Sequence, residues 1–225
     1  MKDLPNNLNA AYFDVDGTLT KSNIVQPLIF IKKKTMPSFN YNLWKLLLPV
    51  RFVYWTILDK INRELATTSI YAQYKGISVE VMNTLKEQCY QNNYKATIFP
   101  KALETVNSLK EKGTKIVLVS GSLDLFLLPL AKELEADLLS SRLEVKDEKY
   151  TGKIIDTIVS GSIKSSLINE HAQQHQFELN NCASFGDSKD DIPMLSSVKY
   201  PVAVNPDKKL SLIANKNNWS VINWS

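Results

Sequence analysis

Two carboxylates stand one residue apart in Asp14-Val15-Asp16-Gly17-Thr18, directly after the apolar run Ala10-Ala11-Tyr12-Phe13. The run predicts a short buried strand, and such strands usually end in turn residues rather than in a tight acidic pair. At the carboxyl end of a strand, Asp14 and Asp16 leave on the same side of the pleat, with Val15 turned the other way. Like charges that close repel unless a cation lies between them or one of them carries a proton. Mg²⁺ meets that need, because it prefers hard oxygen ligands and keeps several of its waters.

The elements that must position this pair alternate in type. Residues 99–109 carry apolar side chains at helical spacing with Gly113 beyond their end, and residues 114–119 form an apolar strand running into Ser120. Helices are predicted over 123–134 and 163–174, and a hairpin over 142–145 and 151–155 around Asp147-Glu148-Lys149. Further strands are predicted at 182–186, which runs into Asp187, at 200–204 and at 219–222. Nearly all-apolar strands alternating with helices imply an α/β fold with a mainly parallel sheet covered on both faces. Ligands of such folds bind at the carboxyl ends of the strands, where Asp14, Ser120 and Asp187 all fall. Residues 24–95 differ, mixing aromatic and aliphatic residues with lysines between breaks at Pro27, Pro37, Pro49 and Gly76, and they predict several helices. The expected division is a catalytic core of residues 1–20 and 96–225 with a helical insertion of residues 21–95.

With 44% hydrophobic and 22% charged residues over 225 positions, the composition excludes a disordered chain and allows one core plus a modest insertion. Cys89 and Cys182 are far apart and lack ligand spacing, so both are expected as buried apolar thiols. The polar segment Met1–Asn9 lacks the apolar stretch of a secretory signal, and a reducing cytoplasm is the expected location. His171 and His175 lie one helical turn apart, but no carboxylate or cysteine has suitable spacing, which predicts a solvated helix face rather than a metal site. The net charge of +4 is unevenly spread: residues 20–95 hold eleven Lys and Arg against four Asp and Glu, and the rest of the chain 16 against 19. That asymmetry suits a segment facing an anionic substrate or surface.

Four motifs in order resemble the haloacid dehalogenase superfamily of phosphotransferases. They are Asp14-Val15-Asp16-Gly17-Thr18-Leu19-Thr20, then Val117-Leu118-Val119-Ser120-Gly121-Ser122, then Lys164 in Ser160-Gly161-Ser162-Ile163-Lys164, and last Gly186-Asp187-Ser188-Lys189-Asp190-Asp191. The placement of the insertion is similar to that of the phosphoserine-phosphatase-like branch, subfamily IB. The resemblance implies a Rossmann-like three-layer core with a helical cap in the C1 position, and Mg²⁺-dependent phosphomonoester hydrolysis through an aspartyl-phosphate. It assigns Asp14 as nucleophile and Asp16 as general acid and base. Mg²⁺ would be held by Asp14, the backbone carbonyl of Asp16 and Asp187, and phosphate by Ser120, the Gly121 amide and Lys164. Asp191 and Thr18 would support the site, Asp191 by orienting Lys164 or a metal-bound water. Ile163 stands where the family often has glycine, which leaves Lys153 and Lys189 as competitors of Lys164. The family spacing favours Asp191 over its neighbour Asp190.

Residues 43–58 are the most apolar stretch of the chain, yet Lys45, Pro49 and Arg51 interrupt them and they fall short of the ~20 residues that span a bilayer. They form either the packed core of the cap or an interfacial element, the latter with Trp44, Tyr54 and Trp55 at headgroup level and Lys32-Lys33-Lys34 attracting anionic lipid. The expected substrate is a phosphorylated small molecule or a lipid-like phosphate, with peripheral contact to an anionic membrane and no nucleic-acid partner. Phosphoserine fits less well, because its enzymes in this branch usually carry a glutamate early in the cap and an arginine further on, and residues 21–31 contain no acid. A non-catalytic module that keeps the fold and binds a membrane surface or scaffold through the basic cap is the alternative of another class.

Overall fold

The computed structural model describes residues 4–224, so the reading of Met1–Asn9 lies partly outside the described residues. Strand β1 (Ala10–Phe13) leads into a helical insertion of α1 (Val25–Thr35), α2 (Ser38–Leu46), α3 (Leu48–Ile61), α4 (Arg63–Tyr71) and α5 (Val79–Asn93). The chain continues through α6 (Pro100–Glu111), β2 (Lys115–Leu123), α7 (Asp124–Leu134), β3 (Asp137–Ser141), β4 (Leu143–Lys146) and β5 (Lys149–Ile154). It ends with α8 (Ser162–Gln174), β6 (Cys182–Gly186), α9 (Ile192–Ser196), β7 (Tyr200–Val204), α10 (Lys208–Lys216) and β8 (Ser220–Ile222).

Six strands form one sheet in the order β3-β2-β1-β6-β7-β8, all neighbours parallel. β1 lies at the point where the strand order reverses, the position at which open α/β sheets form a ligand crevice. It is fully buried, as a strand covered on both faces must be. Phe13 stacks on Phe185 of β6 with ring centroids 4.2 Å apart, which ties together the two strands that end in Asp14 and Asp187. The predicted hairpin forms as β4 and β5, but as a separate two-stranded sheet. β3 was not expected from sequence: it is a short, half-buried edge strand whose Asp137, Ser140 and Ser141 break the apolar pattern.

The insertion leaves and rejoins the core through paired segments, with the Lys21 amide donating to the Thr97 carbonyl and the Phe99 amide to the Leu19 carbonyl. Val25, Leu28 and Ile31 of α1 and Tyr74, Met82, Cys89, Tyr90 and Tyr94 are buried in the same hydrophobic cluster as Phe13 and Phe185. The apolar stretch 43–58 is split by direction rather than wholly packed. Trp44 and Trp55 point inward, their indole N–H groups donating to Gln73 and Ser69, as the packed-core alternative has them and the interfacial one does not. Tyr54 and most of the aliphatic residues point outward.

His171 is also corrected by the structure. It is buried, and β3 brings up the carboxylate that sequence spacing did not supply: Asp137 lies 3.1 Å from Nε2, while the Tyr12 hydroxyl lies 3.2 Å from Nδ1. Ligand atoms of Asp137, His171 and His175 lie within 4.8 Å of one another, and both ring nitrogens of His171 have protein partners. Burial lowers the His171 pKa against the opposing pull of Asp137. A histidine whose folded pKa is depressed is protonated more readily in the unfolded chain, so its contribution to stability is present above the ordinary histidine value and lost as pH falls through it. Acidification from pH 7 to pH 5 is expected to lower the melting temperature less in a His171→Gln variant than in the parent, as read by calorimetry. Equal pH dependence in the two proteins would contradict this account.

Candidate active site

Past the end of β1, the Asp14 amide donates to the Phe185 carbonyl at 2.9 Å, continuing the ladder one residue beyond the strand. The chain then turns tightly, with the amides of Leu19 and Thr20 both donating to the Val15 carbonyl. Gly17 sits in this turn at φ +91°, a left-handed conformation that favours glycine, and a Cβ there would collide with the Asp187 carboxylate. The turn thus brings Asp187, at the end of β6, directly against the Asp14–Asp16 loop. The Asp207 amide holds the Asp187 carbonyl at 2.8 Å.

Lys164, in the first turns of α8, reaches into this group. Its Nζ donates to Asp14 Oδ1 and to Asp191 Oδ1, both at 2.6 Å, and all three side chains are buried. Asp191 Oδ2 accepts from the amides of Asp187 and Ser188 and from the Ser188 hydroxyl, closing the turn after β6. Burial by itself would lower the Lys164 pKa, but Asp14 and Asp191 carry it above the ordinary lysine value. The competitors stand elsewhere, Lys153 exposed on β5 and Lys189 with its amide on Asp207. Asp190 lies on the cavity wall, where it pairs with Arg63 Nε at 2.7 Å.

Asp16 faces β2. Its Oδ2 accepts from Ser122 Oγ at 2.6 Å and from Ser120 Oγ at 3.2 Å. β2 does not end at Ser120 as expected, but runs on to Leu123 with a register shift between Ser120 and Leu123, and such irregularities re-aim side chains beside sites. Ser120 is fully buried with its hydroxyl engaged by Asp16, whereas Gly121 and Ser122 line the cavity. Two tyrosines of the insertion fix this segment: Tyr71 donates to the Gly121 carbonyl at 2.6 Å, and the Tyr94 hydroxyl donates to Ser122 Oγ at 3.2 Å.

The cavity these residues enclose measures about 290 Å³. Asp14, Asp16, Lys164 and Asp187 lie on the core side, and Ser22, Asn23, Ile24, Arg63 and Thr67 on the side of the insertion. Burial pushes the Asp14 carboxyl up to about 7 against the pull of Lys164, with Asp191 and Asp16 adding to the rise. Burial, then Asp14 and Asp191, push Asp187 up to about 8. Burial also raises Asp16, partly offset by its bonds from Ser122 and Ser120.

This is a donor set short of positive charge. Asp14 and Asp191 share one ammonium, and ligand oxygens of Asp14, Asp187 and Asp191 lie within 4.8 Å of one another. Asp14 Oδ2 and Asp16 Oδ1 are buried without a hydrogen-bond partner, as is the hydroxyl of the wholly buried Thr18. Buried acceptor oxygens of that kind are costly, and a hard divalent cation such as Mg²⁺ would satisfy them.

Ser122 and Arg63 were not singled out from sequence. For Ser122 a signal existed, because Ser120 and Ser122 are two apart on a strand and share a face. Arg63 carries no such signal: only the fold of the insertion brings it over Asp190.

Comparison with known proteins bears on the family and the fold. Residues 11–196 match the family model of the haloacid dehalogenase-like hydrolases. A Mycobacterium tuberculosis protein named a probable phosphatase is 27% identical over 228 residues, covering 98% of this chain and 77% of its own. A phosphoserine phosphatase of the same organism is 24% identical over 218 residues, covering 94% and 70%. Among solved structures, a Bordetella pertussis protein of unknown function superposes with a TM-score of 0.83 at 20% identity, over 97% of this chain and 100% of that one. A substrate-bound phosphoserine phosphatase gives 0.70 at 20% identity, over 97% and 94%. With a family match that runs from β1 through the turn after β6, and so spans both halves of the split core, the chain belongs to the haloacid dehalogenase-like hydrolase family.

Proposed function

We propose that this protein is a Mg²⁺-dependent phosphomonoester hydrolase that works through an aspartyl-phosphate on Asp14, with a small-molecule or lipid-like phosphate as substrate. The observation that carries the reading is Asp14 itself, a buried carboxylate with one oxygen on Lys164 and the other aimed into the cavity cluster without a partner. Such a carboxylate can attack phosphorus and split hydrolysis into two easier steps. Asp16 is the second acid, held by two serines, and serves as general acid to the leaving alcohol and then as base to the attacking water. Lys164 and the Gly121 amide bind the phosphoryl oxygens, where charge accumulates in the transition state. Ser120 and Ser122 act on the reaction through Asp16, Asp191 by orienting Lys164, and Thr18 from within the turn.

Asp14, Asp187 and the Asp16 backbone carbonyl would hold Mg²⁺, with Asp191 adding negative charge beside them. The cation supplies charge neutralisation between the phosphate and the carboxylate that attacks it. Residues 1–20 and 96–225 form the catalytic core in this reading, and residues 21–95 the cap over it. The free, buried thiols Cys89 and Cys182 support a reducing, cytoplasmic location.

Phosphoserine, named in several relatives, is disfavoured by the wall its ammonium would meet. Ser22, Asn23 and Ile24 offer no carboxylate there, and the one acid on that rim, Asp190, is already paired with Arg63. A site that does not partner a buried charge discriminates against it.

Hydrolysis of an aryl phosphate is expected with Mg²⁺ and not with excess chelator. Asp14→Asn is expected to lose turnover by on the order of 10⁴-fold or more while melting as a folded protein; retained turnover would sink the nucleophile assignment. Ser122→Ala removes the shorter bond to Asp16 and is expected to lower kcat about tenfold or more with little change in KM, and Ser122→Thr to restore much of it. A Ser122→Ala enzyme altered only in KM would show that Ser122 contacts substrate instead of positioning Asp16.

A further inference from the structure

The outward face of the inserted helices is apolar along its length. Helix α2 passes into α3 through Leu47, whose backbone is itself in the right-handed helical region. Leu43, Leu47, Val50, Tyr54, Ile57 and Ile61 follow one another at intervals of four and three, which places them on a single stripe. All six are exposed, Val50 to 67% and Ile61 to 72%. Trp44 and Trp55, each one residue and so about 100° round the helix from Leu43 and Tyr54, pack inward, so the stripe is not the face by which these helices join the protein. Single exposed aliphatic residues need no explanation, but a continuous run of this kind marks a contact surface.

The charge around the stripe selects what it contacts. Residues 17–58 contain Lys21, Lys32, Lys33, Lys34, Lys45 and Arg51 and no acidic residue at all. Lys32, Lys33 and Lys34 fill the last turn of α1, immediately before α2 and its exposed Phe39, and the exposed Lys45 and Lys60 sit beside Leu46 and Ile61. Two copies of this face would bring like charges together, and so would any basic partner. A surface that is apolar inside and anionic outside complements it.

We infer that the α2–α3 face docks on an anionic lipid bilayer, with the apolar stripe entering the acyl boundary and the flanking lysines among the headgroups. The stripe ends at Ile61, two residues before Arg63, which lines the catalytic cavity and pairs with Asp190. A stripe that ends this close in the chain to a residue of the cavity wall narrows the substrate reading above toward lipid-borne phosphomonoesters. The docking itself rests on the surface and not on the hydrolase reading.

Co-sedimentation of the full chain with vesicles of phosphatidylcholine, with and without phosphatidylglycerol, tests the inference at low and high salt. The parent is expected to pellet with the anionic vesicles at low salt, less at high salt, and little with the neutral ones. Val50→Glu combined with Ile57→Glu should weaken partitioning about tenfold or more, and Lys33→Glu combined with Lys34→Glu should abolish its salt dependence. All variants are expected to keep the parent's hydrolysis of a soluble aryl phosphate, which confirms folding. Absence of binding to anionic vesicles at low salt overturns the inference, as does undiminished binding of the Val50→Glu, Ile57→Glu variant. A parent that leaves vesicles alone but forms dimers dispersed by the same variant assigns the face to a second copy and also overturns it. Vesicle binding without aryl phosphate hydrolysis would instead retain the docking and reject the hydrolase.

Discussion

One buried ammonium shared between two buried carboxylates organises this protein. Lys164 stands 2.6 Å from both Asp14 and Asp191, and burying three charged side chains is favourable only when each finds its partner in good geometry. That requirement fixes the relation of elements remote in sequence: the end of β1, the start of α8 and the turn after β6. Asp191 meets it twice over, binding Lys164 with one oxygen and the turn amides with the other. Removing Lys164 would leave two uncompensated carboxylates in the interior. Even with Lys164 in place, burial first and the neighbouring carboxylates second hold the pKa values of Asp14 and Asp187 above the ordinary range. That cost falls in the cavity, where a hard divalent cation would relieve it.

The sheet makes the cluster possible. Because β1 lies between β2 and β6 at the reversal of strand order, the carboxyl ends of three strands open on one crevice. Apolar contacts below, Phe13 on Phe185 foremost, hold the strands in register while the polar groups are held above. Glycine at position 17 lets the first loop fold down onto Asp187, and a larger residue would strike that carboxylate. The inserted helices then supply the roof, and Tyr71, Tyr94 and Arg63 tie it to the floor at Gly121, Ser122 and Asp190. The insertion therefore has two surfaces with different duties, one closing a polar site and one left apolar and open.

Much of the core was legible because its signals are local. An apolar run followed by Asp14-Val15-Asp16, a Ser-Gly-Ser strand end and Gly186-Asp187-Ser188 each state their own placement, and strand period and fold class follow from the same runs. Signals that are not local do not show along the chain. The half-buried edge strand β3 has no clean pattern, so neither the position of Asp137 nor the burial of His171 beside it is visible in the sequence. The direction of Trp44 and Trp55 was likewise hidden, because α2 and α3 are apolar on both sides and periodicity then gives no preferred face.

By itself, the sequence determined where the two carboxylates fall, directly after the first buried strand, because an apolar run and the residues that follow it are neighbours along the chain. Tertiary structure alone decided that Lys164 and not Lys153 or Lys189 meets Asp14, that Ser122 joins Ser120 on Asp16, and that Arg63 overhangs the cavity. It also decided which side of α2–α3 is buried. These are distances between residues tens of positions apart, set by sheet order and helix packing, and a linear pattern encodes periodicity but not the neighbour that a given face will meet.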